Sequence, residues 1–339
     1  MISHGISVQT LGMRGALDVP RVFRSIRKLI AQLQPDIIQT WMYHADFIGG
    51  LAARAAGHKA IIWGVRNTDM IRGTSYRTFA IRRACAALSR GVPAVIVCAA
   101  EASRASHAAI GYAKSKMIVI PNGFDSRGRI DSTASRTAFR AAGGWTEEQV
   151  VVGHIGRFNF YKDHANFIRA AGRLAQRYRL VRFAMIGKQI DWQNQEIVEQ
   201  INATGFADRF QLFGFRSDVA NCLAGMDVFC LSSRSEGFPN VVGEAMSAAV
   251  PCVATDVGDV RLLLSDAGIV VPKENPTALF EGLARVVAMP RESREALGLE
   301  GRSRVTGEFS MQRVREKYEA IYRSLSQDAF AAAAARSTD

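Results

Sequence analysis

Short apolar runs alternate along the chain with stretches whose apolar residues recur at the spacing of a helix face. In the first half, the runs predict strands at residues 6–11, 36–41, 60–65, 94–98 and 117–120. The stretches between them predict helices at residues 20–33, 45–56, 75–89 and 100–110. Because strands such as residues 94–97 are continuous apolar runs, we expect both faces of their sheet to be buried.

The second half repeats this rhythm, with strands predicted at residues 150–156, 181–187, 209–213, 227–231 and 251–255. Mainly helical sequence follows from residue 276 to about 330. Strand and helix in alternation predict an α/β fold of doubly wound, Rossmann-like parallel sheets, and 339 residues suffice for two. We expect a first domain at 1–125, a Ser-, Thr-, Arg- and Ala-rich linker at 126–149, a second domain at 150–330 and a flexible tail at 331–339.

Composition narrows the class of protein. Hydrophobic residues make up 48% of the chain and charged residues 22%, a globular balance that excludes a disordered or collagen-like protein. No apolar run approaches the roughly 20 residues that cross a bilayer, and the first residues lack the pattern of a secretory signal. The five cysteines form no C-x-x-C pair, which favours reduced, structural thiols in a cytoplasmic protein.

The positive charge is concentrated in the first part of the chain. The net charge is +12, and residues 1–140 hold 20 basic and 7 acidic side chains against 23 and 24 in the remainder. This asymmetry indicates an anionic partner for one domain: a phosphorylated substrate, an anionic membrane surface or nucleic acid. A solvated basic face is the plain alternative. We expect no nucleic-acid partner, because zinc-finger spacing and RNA-binding aromatic signatures are missing from the sequence.

Two basic residues follow the first strand of the second half. Gly156 and Arg157 come directly after this strand, and Lys162 lies at the start of the next predicted helix. A planar guanidinium and a mobile ammonium over a helix amino terminus suit a diphosphate. An ordinary pair of basic surface residues is the alternative at this point.

Two glutamates bracket another predicted helix start. Glu236 lies in the turn before it and Glu244 in its early turns. The helix amino terminus between them favours a negative group, and carboxylates accept hydrogen bonds from vicinal hydroxyls. The pair could therefore hold two sugar rings that flank a phosphate. One helix-capping acid and one surface acid would explain the same spacing.

Five ordered motifs together resemble one family. Glu236 and Glu244 resemble the E-x7-E signature of retaining glycosyltransferases with the GT-B fold, and more narrowly those of family 4 (group 1). The G-R…K element at 156–162 is similar to the diphosphate-binding element of that family. The segments I-P-N-G-F-D at 120–125, F-G-F-R at 213–216 and T-D-V-G at 255–258 resemble its interdomain turn, its base-side loop and the run after the second glutamate.

The resemblance implies a fold, an activity and a set of roles. The fold would be GT-B, with two Rossmann-like domains facing each other across a cleft. The donor would be a nucleotide-diphosphate sugar, UDP- or GDP-linked, with no metal and no further cofactor. The implied donor-binding residues are Gly156, Arg157, Lys162, Phe215, Arg216, Glu236, Gly237, Phe238, Pro239, Asn240, Val241 and Glu244. Glu236 would contact hydroxyls of the transferred sugar, and Glu244 the ribose.

The first domain would carry the acceptor. His44 follows a predicted strand and could act near the reaction centre, although a plain helix-start histidine is equally compatible. Many family members have a histidine after the next strand, where this chain has Arg66. An arginine there could bind a donor phosphate or an anionic acceptor, but it cannot serve as a base at neutral pH.

Two further features bear on activity. Family members usually begin with a strand and a glycine-rich loop, and we expect about one β–α unit of that start to be missing from this sequence. A basic stretch from Arg72 to Arg90 has the pattern of a helix that could lie on an anionic membrane surface or simply present a solvated face.

The implied function is retaining glycosyl transfer to a glycan or lipid-linked acceptor in surface polysaccharide synthesis, on the cytoplasmic side. The alternatives are a degenerate, non-catalytic partner or a truncated fragment; a dehydrogenase is disfavoured because no G-x-G-x-x-G follows a strand.

Overall fold

A computed structural model describes residues 6–68, 75–125 and 132–336. The chain divides into two compact units. Unit 1 comprises residues 1–120 and 316–339, and unit 2 comprises residues 121–315. The segment 126–149, expected from the sequence to be a linker, contains a helix that belongs to unit 2.

Unit 1 is built on a four-stranded parallel sheet in the order β1-β2-β3-β4. Its strands are β1 (Ile38–Trp41), β2 (Ile61–Val65), β3 (Val95–Cys98) and β4 (Met117–Val119). Its helices are α1 (Val19–Leu33), α2 (Tyr43–Ala55), α3 (Tyr76–Leu88) and α4 (Glu101–Ala109). All five residues of β2 are buried, as expected for a strand covered on both faces.

The strand predicted at residues 6–11 is wrong. Residues 6–14 form neither helix nor strand, and the side chains of Ile6 and Val8 are about half exposed. An apolar alternation becomes a strand only where a neighbouring strand satisfies its backbone groups. Among the described residues, none pairs with this segment.

Unit 2 is built on a six-stranded parallel sheet in the order β10-β9-β8-β5-β6-β7. Its strands are β5 (Val150–Ile155), β6 (Val181–Ile186), β7 (Phe210–Leu212), β8 (Val228–Leu231), β9 (Cys252–Thr255) and β10 (Gly268–Val271). Its helices are α5 (Ser132–Ala142), α6 (His164–Arg177), α7 (Gln195–Asn202), α8 (Val219–Ala224), α9 (Asn240–Ser247), α10 (Val260–Leu264), α11 (Pro276–Val287) and α12 (Arg291–Glu308). A last helix, α13 (Met311–Arg336), begins in unit 2 and continues into unit 1.

The central strands of unit 2 carry the core on both faces. Every residue of β8 and β9 is buried, and their side chains point alternately to the two sides of the sheet. One face packs against α6, α7 and α11 through a cluster that includes Phe167, Phe183 and Leu283. This covered sheet fixes where β5 and β8 end, and the loops after them therefore start from a rigid edge. All five cysteines lie buried and unpaired in the two cores.

Candidate functional site

The predicted donor residues gather at the carboxyl edge of the unit 2 sheet. The strands β5 and β8 are hydrogen-bonded neighbours. The loop after β5, residues 156–163, is called loop A here, and the loop after β8, residues 232–239, is called loop B. Because parallel strands end on the same side, both loops emerge side by side. The edge between β5 and β8 is where the strand order reverses, the usual ligand site of such sheets.

Loops A and B are joined by a charged contact. Lys162 Nζ on loop A donates to Glu236 Oε1 on loop B at 2.5 Å. Ser233 Oγ donates to the same carboxylate oxygen at 2.7 Å. Both charged side chains are about one-fifth exposed, so solvent or a ligand can still reach them. The sequence predicts Lys162 and Glu236 at this site but not Ser233, because Ser233 belongs to none of the recognised motifs.

Two glycines allow neighbouring loops to approach loops A and B. Gly187, after β6, has φ +155°, and a Cβ there would lie 2.1 Å from the carbonyl oxygen of Gly156. Gly258, in the T-D-V-G run, has φ +53°, and a Cβ there would lie 2.2 Å from the carbonyl oxygen of Gly237. Both positions combine a left-handed backbone with backbone contact, which L side chains do not tolerate. Arg157, the second residue of loop A, is exposed.

The amino terminus of α9 lies at the end of loop B. Within the described residues, no side chain caps this helix; Asn240 is its first residue, but its Oδ1 accepts a hydrogen bond from Asn122 Nδ2 at 2.7 Å. The amides of Asn240, Val242 and Gly243 donate to the carbonyl oxygens of Phe238 and Pro239, so the helix dipole and the amide of Val241 are what favour an anion there. Phe238 and Pro239 are buried, and the Phe238 ring packs against those of Phe124 and Phe309. At Phe238, a ligand could therefore contact the backbone of loop B but not the phenylalanine ring.

The remaining predicted donor residues are placed as follows. Glu244 lies on the exposed side of α9, where desolvation by nearby protein atoms raises the pKa of its carboxyl and Lys162 opposes that shift. Phe215 is 74% exposed on the loop after β7. Arg216 is engaged by Asp218, with nitrogen–oxygen distances of 2.8 and 2.7 Å. Val241 is half-buried in the first turn of α9.

Two buried histidines lie beneath loop A. His154 Nε2 on β5 lies 3.1 Å from Ser232 Oγ, which donates to the carbonyl oxygens of Lys162 and Asp163. The ring of His164 packs against that of His154, with centroids 4.7 Å apart. Burial lowers the pKa of His164 to about 4 and lowers that of His154 well below its usual value. Both rings are therefore neutral at pH 7 and act as packing and hydrogen-bonding groups.

The two predicted acceptor-side residues lie in unit 1. His44 is exposed in the first turn of α2. The guanidinium of Arg66 lies 4.4 Å from the centre of the Trp41 ring, and its Nη2 donates to Tyr318 Oη at 3.2 Å. Tyr318 belongs to the part of α13 in unit 1. The contacts of Arg66 thus connect the ends of β1 and β2 with the last helix, which a local sequence pattern could not reveal.

Two family models match the chain. Residues 2–127 match Glycosyltransferase Family 4, and residues 149–289 match Glycosyl transferases group 1. Together they cover most of the sequence. The chain belongs to the GT-B glycosyltransferases of the group 1/family 4 type. The fold agrees: the structure of Anabaena Alr3699/HepE in complex with UDP-glucose superposes with a TM-score of 0.82 over 96% of this chain and 87% of that chain, at 20% identity.

Curated relatives of this glycosyltransferase are distant. A putative glycosyltransferase of Bacillus subtilis, EpsF, is 25% identical over 264 residues, which is 74% of this chain and 67% of EpsF. The lipopolysaccharide core biosynthesis mannosyltransferase LpsB of Rhizobium meliloti is 28% identical over 134 residues, 38% of each chain. The chain therefore aligns with only part of the relatives that it matches.

The described residues contain neither a metal-binding cluster nor a membrane-spanning helix. No three His, Cys, Asp or Glu side chains in that part of the chain cluster so as to hold a metal ion. None of its helices is both long and apolar enough to span a bilayer. In this glycosyltransferase, Arg157, Lys162 and the amino end of α9 are positive groups at the carboxyl edge that could meet an anion.

Proposed function

We propose that this chain transfers a sugar, with retention of anomeric configuration and without a metal ion, from a nucleotide-diphosphate sugar to a glycan or lipid-linked acceptor in surface polysaccharide synthesis. The observation that carries the proposal is the convergence of Lys162, Glu236 and the uncapped amino end of α9 at one sheet edge. This arrangement provides a cation and the positive end of a helix dipole for a diphosphate, and a carboxylate for a sugar. Family membership, and the polysaccharide roles in the names of relatives, support the same direction.

Donor binding would exchange one partner for another. Without donor, Lys162 and Glu236 neutralise each other at 2.5 Å. A diphosphate carries more negative charge than one carboxylate and would take Lys162, with Arg157 and the amino end of α9 completing its surroundings. Glu236 would then be free to accept hydrogen bonds from sugar hydroxyls. Binding of the diphosphate would thus release Glu236 from Lys162 and make its carboxylate available to the sugar.

Transfer would proceed on one face of the sugar. The bond from the anomeric carbon to the diphosphate oxygen breaks, and the bond to the acceptor oxygen forms on the same side. The acceptor proton passes to the departing phosphate oxygen. Lys162, Arg157 and the α9 amino end stabilise the charge that develops on the diphosphate, which is where preorganised donors contribute most. We assign Glu236 to binding rather than to nucleophilic attack, because Lys162 and Ser233 both engage its carboxylate.

On the acceptor side we propose His44 as a hydroxyl ligand, because it is exposed next to the end of β1. We assign Arg66 a role in holding α13, because Trp41 and Tyr318 already engage its guanidinium. Its part in binding an anionic acceptor stays a prediction of the sequence.

We further propose that α3 docks unit 1 on an anionic membrane surface. Tyr76 is 95% exposed and Phe79 51% exposed, and Arg77 and Arg83 are exposed beside them. Aromatic rings among cations suit a headgroup interface. Arg82 of the same stretch does not belong to this face, because it is buried over the Tyr43 ring, and Arg72 lies outside the described residues. Sedimentation with vesicles containing phosphatidylglycerol, but not with neutral vesicles, should depend on Arg77 and Arg83; equal binding to both would contradict the proposal.

The first test of the donor site is calorimetry with UDP and GDP. UDP is the first choice because structures of HepE hold UDP and UDP-glucose. We expect the wild-type chain to bind one of the two nucleotides, Lys162→Ala to lose that binding, and Arg169→Ala to retain it. Arg169 is an exposed cation on α6 and serves as the matched control. A folded wild-type chain that binds neither nucleotide would favour a degenerate, non-catalytic protein.

A further inference from the structure

A second ionic contact joins loops A and B, next to Lys162 and Glu236. Arg234 Nη2 on loop B donates to Asp163 Oδ1 on loop A at 3.0 Å, and Arg234 Nε lies 2.9 Å from Asp163 Oδ2. The Asp163 side chain is only 2% exposed, and that of Arg234 is 25% exposed. Two nitrogen atoms facing two oxygen atoms fix the orientation of both groups, which a lysine could not do.

Arg234 is itself held in place by both loops. Its backbone amide donates to the carbonyl oxygen of Tyr161 at 2.7 Å. Its guanidinium lies 4.3 Å from the centre of the Phe160 ring, so the cation stacks on loop A. Nη1 lies 3.4 Å from Glu274 Oε1. The side chain therefore bridges loop B and loop A by an ion pair, a ring contact and a backbone hydrogen bond.

The backbone of Asp163 indicates that this contact has a cost. Asp163 precedes α6 with φ +45° and ψ +56°, the left-handed region that glycine adopts freely. Its side chain does not cap α6, which is the usual task of an aspartate at that position. Because the side chain of Asp163 does not cap α6 and its backbone is strained, we attribute the presence of an aspartate here to its contact with Arg234.

We infer that Asp163 and Arg234 are positioning residues that set the register between Lys162 and Glu236 and thereby the affinity for the donor diphosphate. Asp163 is the direct neighbour of Lys162, and Arg234 lies two residues before Glu236. When a diphosphate takes Lys162 away from Glu236, the Lys162–Glu236 contact no longer joins the loops. The Asp163–Arg234 contact is then the charged link that keeps loops A and B at the spacing a diphosphate needs. This inference rests on the proposed donor site.

The decisive variants separate positioning from stability. Asp163→Gly removes the contact and relieves the left-handed backbone, so the unfolding temperature should stay unchanged or rise. Arg234→Met removes the same contact from the other side and keeps an apolar chain over Phe160. By calorimetry with UDP, we expect each to raise Kd about tenfold, a coupling typical of groups in direct contact. Because each variant removes the same contact, the double variant should raise Kd no further.

The turnover measurement sharpens the assignment. With a donor sugar, KM should rise with Kd while kcat stays within a factor of about two, since the contact acts on ground-state and transition-state binding alike. Arg234→Lys restores the charge but not the two-point geometry and should recover only part of the affinity. Unchanged Kd in Asp163→Gly, or additive losses in the double variant, would overturn the positioning role while leaving the donor site intact. A wild-type chain without affinity for UDP or GDP would overturn the proposed function and this inference together.

Discussion

Clusters of charge occur at both edges of the unit 2 sheet, but they are satisfied in different ways. At the carboxyl edge, Lys162 and Glu236 engage each other, and Arg157 lies exposed. At the amino edge, Asp227 accepts from Arg136 at 2.9 Å, from Arg140 at 3.0 Å and from the amide of Val151 at 2.7 Å. The amino edge even opens a cavity of about 580 Å³, lined in part by Arg136.

The partners of the cations distinguish the two edges. Arg140 is buried, and its guanidinium donates to the backbone carbonyl oxygens of Gly225, Gln149 and Thr146 as well as to Asp227. Carbonyl oxygens are fixed by the fold and cannot leave. A carboxylate such as Glu236, on the tip of a loop, can give way to a ligand. A cluster of charge therefore indicates a binding site where its partners can be exchanged, and a structural brace where they are backbone.

Removing Lys162 tests most directly whether the carboxyl-edge charges serve binding rather than stability. Lys162→Ala should lower kcat/KM by about 10²–10³-fold, because it removes a preorganised cation from the leaving diphosphate. The unfolding temperature should fall less than in a variant that leaves a fully buried charge unpaired, because the remaining Glu236 carboxylate is still reached by solvent and keeps its hydrogen bond from Ser233. Initial-rate kinetics beside thermal unfolding test both parts, with Arg169→Ala as control. A large loss of stability in Lys162→Ala would show that the carboxyl-edge pair is a brace as well.

The matching change at the amino edge should have the opposite profile. Arg140→Met should lower the free energy of unfolding by about 3 kcal/mol, because it leaves buried acceptors without their donor. The folded variant should bind UDP with wild-type affinity. Urea denaturation followed by calorimetry measures the two quantities on one sample. Loss of UDP affinity without loss of stability would reverse our assignment of the two edges.

The sequence predicts the sheets better than it predicts the contacts between loops. Apolar runs locate nine of the ten described strands, because a strand buried on both faces must be apolar. The strand β10 is missed, although it is as long as β8 and β9. The helix α5 is missed because its Ser, Thr and Arg content resembles a linker. The run at 6–11 has the pattern but lacks a neighbouring strand within the described residues.

At the candidate site, the motifs point to residues that the structure brings together and miss the residues that contact them. Lys162 and Glu236 are predictable from the resemblance, and their contact follows from the ends of β5 and β8. Asp163 and Arg234 lie 71 positions apart in sequence, and no local pattern joins them. Their pairing depends on the strand order, which reading along the chain does not determine.

The histidines beneath loop A provide a pH test of the carboxyl edge. Burial holds the pKa of His164 at about 4, below its ordinary value near 6.5. The neutral form is favoured in the folded state, so its contribution to stability is present above pH 6.5 and is lost as pH falls towards 4. Between pH 7 and pH 5 this group should lower the free energy of unfolding by at most about 2 kcal/mol.

Urea denaturation at the two pH values measures that difference. His164→Gln, which cannot titrate, should show a smaller decrease than the wild type, while His154 continues to contribute. An unchanged pH dependence in His164→Gln would mean that folding does not lower the pKa of His164.

Arg66 allows the same comparison in unit 1, where we expect a smaller effect on stability. Arg66 follows β2 as Arg157 follows β5, yet its guanidinium stacks on Trp41 and donates to Tyr318. Both of these partners are side chains, but neither carries a charge that an anionic ligand would displace, so we expect Arg66 to act as a brace. Arg66→Ala should therefore lower the free energy of unfolding by about 1 kcal/mol and leave UDP affinity unchanged. Arg66→Lys should recover little, because an ammonium cannot both stack on the ring and reach the phenol. If Arg66→Ala instead kept its stability and raised KM for an anionic acceptor, the guanidinium would be a ligand held ready by Trp41, and partner type alone would not separate a brace from a binding site.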